Sequence, residues 1–336
     1  RCLRCKQASY CGAQCQKAGW KTHKKTCMSL EETFNVVWAA HGAMEWSGVL
    51  AREGRMEELL EEGTTADDPD DICCKILEIF ANAHEMQFIG IGQRDSRHHR
   101  KEAVKLQKRR VVLLGKMQRF RDQGDVMCFI AQLLEDGDEA EMARYYRMAR
   151  ALGEEHGFFA LECRSCLGLG QMASLEGRYE EALDLMRNAL AAAPLTENEH
   201  GPMYEMTALD AMATALFHAK RFDELEEVLQ RLQAAAKAAT ARDGVLSLLE
   251  VTSLFGIARL HEVRGEPRKA AEDVRALLAL VREHHHAVEP SLLGAFRTQL
   301  WHACEHLQTL DPEVGEEELL KSAAVELARM QLRLGA

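Results

Sequence analysis

The chain has 336 residues, of which 47% are hydrophobic, 28% charged and 6% aromatic, and only six are proline. This composition is ordinary for a globular protein, and the scarcity of aromatic residues and proline favours helices over a β-sandwich or barrel. With 42 basic and 53 acidic residues the formal net charge is −11, which argues against binding of a phosphate backbone as the main function.

The first 27 residues contain a metal-binding pattern. Cys2 and Cys5 are separated by two residues, so one turn can present both thiolates to a tetrahedral metal. His23 and Cys27 are four residues apart, which places them on one face of a helix. Three thiolates and one imidazole form a closed ligand set typical of structural zinc. We therefore predict a complete zinc site at these four residues, with no open position for catalytic water.

A second cysteine pair extends this pattern. Cys11 and Cys15 also have the spacing of one helical turn, which indicates half of a further metal site. The run Tyr10-Cys11-x3-Cys15-Gln16-x3-Trp20-x2-His23-x3-Cys27 resembles the MYND-type zinc finger, a family that binds two zinc ions in an interleaved arrangement. The resemblance implies that a Cys-x2-Cys pair upstream of Arg1 completes the second site. We expect one complete site in the chain as given and two with that pair restored.

The resemblance also implies a partner for the finger. MYND fingers dock short proline-containing peptides, often of a Pro-x-Leu-x-Pro kind, and the Gln and Trp of their last helix form the groove. Here these residues are Gln16 and Trp20. Trp20 has two possible roles, because a tryptophan on so small a module either covers the metal site or contacts the peptide.

The finger is basic and the remainder of the chain is acidic. Residues 1–30 contain seven Lys or Arg and no acidic residue, so all 53 acidic residues lie in the rest of the chain. Nucleic-acid binding through the finger is therefore an alternative. However, no aromatic-rich binding face accompanies the positive charge, and we do not expect nucleic acid as the partner.

From Ser29 onward the pattern changes to amphipathic helices joined by short turns. Apolar residues recur at spacings of three and four, and strand-like alternation is absent, which predicts an all-α domain over residues 29–336. The segment 163–194 resembles a tetratricopeptide repeat, in which a helix–turn–helix carries small residues where the helices approach closely. The residues that carry this resemblance are Leu169, Gly170, Gly177, Tyr179, Ala182, Met186, Ala189 and Pro194.

Similar turns recur along the chain. Turns at 137, 177, 220 and 265 are spaced by 40, 43 and 45 residues, which predicts helices of roughly 18–22 residues in an irregular repeat array. The predicted helix pairs lie near 30–63, 71–121, 124–153, 155–192, 198–240, 243–285 and 290–333. The fold class that we predict is therefore all-α: a small zinc-stapled finger over residues 1–27 followed by an α-solenoid of tetratricopeptide-like repeats.

Three other features have a structural interpretation. His98-His99 and His284-His-His286 lack a Cys or acidic partner at ligand spacing, and we interpret them as solvated surface. Cys163 and Cys166 have the spacing of a redox motif but fall inside a repeat helix, so we expect them to be packed. The basic segment 94–110 is either a solvated face, a site for an acidic partner, or a contact with the acidic remainder of the chain.

These patterns favour a zinc-binding protein–protein interaction scaffold, in which the finger and the repeat array each bind a partner segment. The alternative is a remnant or relative of lysine methyltransferases that combine a SET domain with a MYND finger. We expect no enzyme activity, because no strand-rich segment follows residue 27. Clustered cysteines with a histidine, without a signal peptide, indicate a reducing compartment, either the cytoplasm or the nucleus. The chain contains no uncharged apolar run of about 18 residues, so the sequence predicts no transmembrane helix.

Overall fold

The computed structural model describes residues 30–54, 69–90, 96–134, 138–196 and 200–284, together with Gln14, Lys17, Gly19 and Trp20. All regular structure in these segments is helical, and the described residues contain no strand. The prediction of an all-α chain is confirmed. By internal contacts the chain divides into two compact units, Arg1–Leu152 and Gly153–Ala336.

Within the described segments, six helices begin in the first unit. They are α1 (Leu30–Gly42), α2 (Trp46–Leu50), α3 (Pro69–Gly90), α4 (Ser96–Lys116), α5 (Phe120–Leu133) and α6 (Glu139–His156), the last of which ends in the second unit. Pro69 occupies the first position of α3, where its missing N–H costs nothing, and Asp70 and Asp71 follow in the first turn. Carboxylates stabilise the positive end of a helix dipole, so Asp70 and Asp71 favour the start of α3 at this position.

Helix α3 is the centre of the first core. It packs against α1, α2 and α4, and it buries apolar side chains along most of its length. The core residues of this cluster include Val37, Val49, Ile76, Leu77, Ile79, Phe80 and Leu106. Leu106 of α4 belongs to this core, so one face of α4 packs against α3.

The second unit is a helix–turn–helix array. Up to residue 284, its helices are α7 (Phe159–Leu175), α8 (Tyr179–Ala192), α9 (Gly201–His218), α10 (Phe222–Asp243), α11 (Leu248–Val263) and α12 (Pro267–His284), with a short 3-10 helix at Ala193–Leu195. Each helix packs against the next in sequence, and in addition α7 contacts α9 and α9 contacts α11. Contact between the first helices of successive pairs is the packing pattern of stacked repeats.

The tetratricopeptide-like signature of segment 163–194 has a direct structural counterpart. Gly170 lies in α7 where α8 crosses closely, and a Cβ there would overlap the terminal methyl of Met186. Ala182, Met186 and Ala189 are fully buried on the facing side of α8. Gly177 makes the turn between the helices with φ = +76°, a left-handed conformation that suits glycine.

The five predicted helix pairs from 71–121 to 243–285 correspond to observed helix pairs, and the first predicted pair, 30–63, is described only as far as residue 54. The turns at 177 and 265 are made by Gly177 and Gly265 with positive φ, and the turn at 220 by Lys220 with φ = +58°. Position 137 and the last predicted pair, 290–333, lie outside the described residues. Some helices are shorter than predicted: α5 and α8 have 14 residues each, whereas α3 and α10 reach 22. None of the described helices is long and apolar enough to cross a membrane.

Arginines at a regular spacing connect consecutive repeats. Arg178, Arg221 and Arg264 recur every 43 residues. The Arg221 guanidinium donates hydrogen bonds of 2.8 and 2.9 Å to both carboxylate oxygens of Glu180 in the preceding pair. Arg264 likewise donates to Glu226 at 2.6 Å. These pairs are partly exposed and so add little stability, and each connects a turn of one repeat to the second helix of the preceding one.

Candidate protein-binding sites

The predicted finger site lies almost entirely outside the described residues. The residues concerned are Cys2, Cys5, Cys11, Cys15, Gln16, His23 and Cys27. Of the finger, only Gln14, Lys17, Gly19 and Trp20 are described, and all four are helical. The helix that the resemblance implies around Trp20 is therefore consistent with the described residues, and the ligand assignments stay predictions.

Trp20 is the one predicted binding residue among those that the structure describes. Its side chain is 37% exposed, a large fraction for a tryptophan in a folded protein. An exposed indole offers both a flat apolar surface and an N–H donor to a partner. This exposure suits peptide contact, while the remaining covered surface leaves room for packing on the finger.

Zinc fits the donor set of the finger. Three thiolates with one imidazole are the soft and borderline ligands that zinc prefers, in the number needed for tetrahedral closure. Within the described segments from residue 30 to 284, no group of three or more His, Cys, Asp or Glu side chains could hold a metal ion. The finger is therefore a candidate metal site on the chemistry of its donor set.

A cavity of about 430 Å³ lies between α4, the end of α5 and the start of α6. We call it the basic pocket. Four of its lining residues are cations of α4, namely Arg100, Lys101, Lys105 and Lys108. Its apolar surface comes from Val104, Leu133 and Leu134, and its other wall carries Asp138 and Glu141. A cavity of this size is within the range of about 300–1,000 Å³ that is common for binding sites.

Intramolecular ion pairs neutralise part of the positive charge of α4. Lys108 Nζ lies 3.0 Å from Glu141 across the basic pocket, and Arg110 lies 2.9 Å from Glu78 with only 13% of its side chain exposed. Lys105 pairs with Glu102 on its own helix at 2.9 Å but is 62% exposed. Of the three alternatives for segment 94–110, Arg110 and Lys108 therefore fit a contact with acidic residues of the chain, and Lys105 fits a solvated face. No carboxylate among the described residues forms an ion pair with Lys101.

A histidine cluster connects α3 and α4. His84 is buried, with 2% of its surface exposed, and its Nδ1 lies 2.8 Å from Nδ1 of His99, so one ring donates and the other accepts. The other ring nitrogen of His84 lies 3.0 Å from Glu53. That hydrogen bond lowers the pKa of the Glu53 carboxyl. The interpretation of His98-His99 as solvated surface holds for His98, which is exposed, whereas His99 packs on His84, and no local pattern indicates this contact.

Cys163 and Cys166 are packed, as predicted. Both are buried in α7, and neither forms a disulfide. The Cys163 thiol donates to the carbonyl oxygen of Ala189 in α8 at 3.4 Å. Burial raises the pKa of Cys163 to about 12, so the thiolate needed for redox chemistry is scarce at neutral pH. Cys163 therefore contacts the neighbouring repeat helix, and both thiols are packed inside the array.

Comparison with known proteins agrees with both parts of the chain. A family model for the MYND finger matches residues 1–27. No curated protein matches the chain. A solved structure of a signal-transduction ATPase with a tetratricopeptide repeat sensor, from Pyrococcus horikoshii, is 13% identical with a TM-score of 0.51; the match covers 91% of this chain and 50% of that one.

A second solved structure, the TPR-like repeats of a kinesin light chain from Podosopora anserina, is 17% identical with a TM-score of 0.47. This match covers 63% of this chain and 96% of that one. At these identities the similarity of structures concerns the fold alone. Residues 1–27 thus match the MYND finger, and the helices that follow have the fold of tetratricopeptide-repeat proteins.

Proposed function

We propose that this chain is a zinc-binding scaffold for protein–protein interactions, in which the finger and the helical array each bind a partner segment. The observation that carries the proposal is the combination of a MYND finger with a TPR-like array in one chain. Stacked repeats bury their apolar faces against their neighbours and leave an extended surface, which such proteins use to bind peptides. Both parts therefore favour binding of other proteins.

The zinc content of the finger is the first test. We expect about one tightly bound zinc per chain, bound by Cys2, Cys5, His23 and Cys27, with Cys11 and Cys15 as half of a second site. Cys27→Ser should release this zinc, as measured by plasma mass spectrometry. Cys73→Ser is the matched control, because Cys73 is a half-buried cysteine of α3, outside the finger. Equal zinc in the Cys27→Ser variant and wild type would refute the ligand assignment.

A peptide titration tests the groove at Gln16 and Trp20. We expect a Pro-x-Leu-x-Pro peptide to bind the zinc-loaded chain and Trp20→Ala to weaken binding about tenfold or more, as for a buried aromatic anchor. Trp38→Ala is the control, because Trp38 is 50% exposed but lies in α1. Unchanged peptide binding in the Trp20→Ala variant would exclude the groove. Loss of zinc together with peptide binding would instead assign Trp20 to covering the metal site.

The scaffold function as a whole is tested by selection from a random peptide display library. The bait is the full zinc-loaded chain, and heat-denatured chain on the same support is the control. We expect enrichment of related sequences on the native chain alone. A selection that returns the same sequences on both baits would show that the native chain offers no specific binding surface.

We also propose that the chain has no catalytic activity and acts in the cytoplasm or nucleus. The described segments are entirely helical, whereas a SET domain is strand-rich, which supports the first proposal. A methyltransferase assay with a general peptide substrate checks it, and detectable turnover would favour the SET/MYND alternative. Nucleic-acid binding through the seven basic residues of the finger is the other alternative, and a mobility-shift assay with the full chain measures it.

A further inference from the structure

Helix α4 carries a concentration of positive charge that is unusual for this acidic chain. Between Ser96 and Lys116 it contains eight Lys or Arg residues and a single acidic residue, Glu102. The whole chain has a net charge of −11, so this helix differs from the chain as a whole both in the sign of its charge and in the share of charged residues that it contains. A local field of this kind raises the concentration of oppositely charged ligands near it.

Three cations that line the basic pocket lie on one face of α4. Lys101, Lys105 and Lys108 follow the four- and three-residue spacing of a single helical face. Between them Val104 is 8% exposed and Leu133, from α5, is 7% exposed, so both form an apolar floor. The pocket thus combines a cationic wall with an apolar floor, which suits a ligand having both anionic and apolar groups.

The charge on the opposite wall sets the orientation of such a ligand. Asp138 and Glu141 stand at the start of α6, and Lys108 already pairs with Glu141. An anionic ligand is therefore attracted by Lys101 and Lys105 and repelled on the side of α6. Specificity for acidic ligands depends on the α4 wall.

We propose that the basic pocket binds an acidic peptide segment of a partner protein, with its carboxylates against Lys101 and Lys105 and an apolar side chain on Val104 and Leu133. This inference rests on the proposed scaffold function and names the chemistry of one partner. A cavity of about 430 Å³ accommodates a few side chains and is too small for a folded domain. In an extended peptide, successive side chains point to opposite sides. A peptide in which acidic and apolar residues alternate can therefore place carboxylates against the cationic wall and apolar side chains on the apolar floor.

Fluorescence anisotropy with a defined probe tests the proposal. The probe is a fluorescein-labelled peptide in which Leu alternates with Glu, and its control has Gln in place of each Glu. The full zinc-loaded chain should bind the acidic probe at least about tenfold more tightly than the control, and the difference should shrink as salt rises from about 0.05 to 0.5 M. Equal affinity for the two peptides would overturn the proposal.

Charge-reversal variants locate the binding site. Lys101→Glu and Lys105→Glu should each weaken binding of the acidic probe about five- to tenfold, because an attraction becomes a repulsion. Lys116→Glu is the matched control: it makes the same charge change on the same helix. Lys116 lies about 22 Å from Lys101 along the helix axis, well beyond the screening length of about 8 Å at physiological salt.

The outcomes separate this inference from the scaffold function. If Lys116→Glu weakens binding as much as Lys101→Glu, the probe recognises net charge and the pocket is not the site. If the acidic probe fails to bind while the display library still yields enriched non-acidic sequences, the pocket inference is wrong and the scaffold function stands. If neither experiment detects a ligand, both proposals are contradicted.

Discussion

The close approach of α7 and α8 predicts that Gly170→Ala destabilises the protein, although alanine is the better helix former. A Cβ on Gly170 would overlap Met186 Cε, and it would lie 3.2 Å from Met186 Sδ and 3.4 Å from the carbonyl oxygen of Ala182. Met186 is fully buried, so its side chain has little room to move away. Overpacking costs about 1–3 kcal/mol, while replacing glycine in a helix interior gains about 1 kcal/mol. We expect a net loss of about 1 kcal/mol of unfolding free energy.

A double-mutant cycle with Met186→Leu isolates the cause. Leucine has no atom equivalent to Cε, so the added Cβ should cost about 1 kcal/mol less in the leucine background than in wild type. Urea unfolding followed by far-ultraviolet circular dichroism measures the four stabilities. Gly48→Ala is the control, because the nearest atoms to a Cβ at that helical glycine are 3.9 Å away. An equal cost of Gly170→Ala in both backgrounds would refute the steric explanation.

Three further predictions concern the turn, the buried thiol and the histidine cluster. Gly177→Ala should lose about 1 kcal/mol of stability in urea unfolding, because φ is +76°, and Gly177→Asn should lose less; equal losses would argue against backbone strain. Cys163 should resist iodoacetamide in the native chain at about pH 8 and react after denaturation, because burial raises its pKa to about 12; rapid native labelling by mass spectrometry would contradict this. The pKa of Glu53 is lowered from 4.5 by its hydrogen bond with His84, so Glu53 stabilises the fold above about pH 4.5 and loses this contribution as the pH falls through its native pKa. The difference in Tm between wild type and Glu53→Gln should therefore shrink between about pH 6 and pH 3, and a constant difference would exclude the linkage.

The repeat helices could be predicted from the sequence because the residues that determine their turns and close contacts lie near one another in the chain. Gly177 marks a turn through its backbone freedom, and the small and large residues at Gly170 and Met186 mark a close helix crossing. Both signals lie within one 30-residue unit. Helix lengths were less predictable: α8 ends at Ala192 because Pro194 follows, whereas α10 continues to Gly244, a left-handed C-terminal residue.

The candidate sites were predictable only where the ligands are close in sequence. The finger ligands fall within 27 residues, so their spacing alone indicates the zinc chemistry. The basic pocket joins α4 to residues 133–141, and His84 meets Glu53 across 31 positions, so both depend on how helices pack. Arg221 contacts Glu180, which lies 41 residues earlier, a separation close to the repeat length of the array. This contact could in principle be found in the sequence, because arginine recurs at the repeat spacing.

The central claim, that the finger and the array provide separate binding surfaces, is tested most directly by photo-crosslinking of the selected peptides to the full zinc-loaded chain. Mass spectrometry then locates each crosslink in the sequence. The account predicts two groups, one within residues 1–27 that disappears in Cys27→Ser, and one on the helices, including α4, that is unaffected by that change. Crosslinks spread without preference along the chain, or all lost together with zinc, would contradict it.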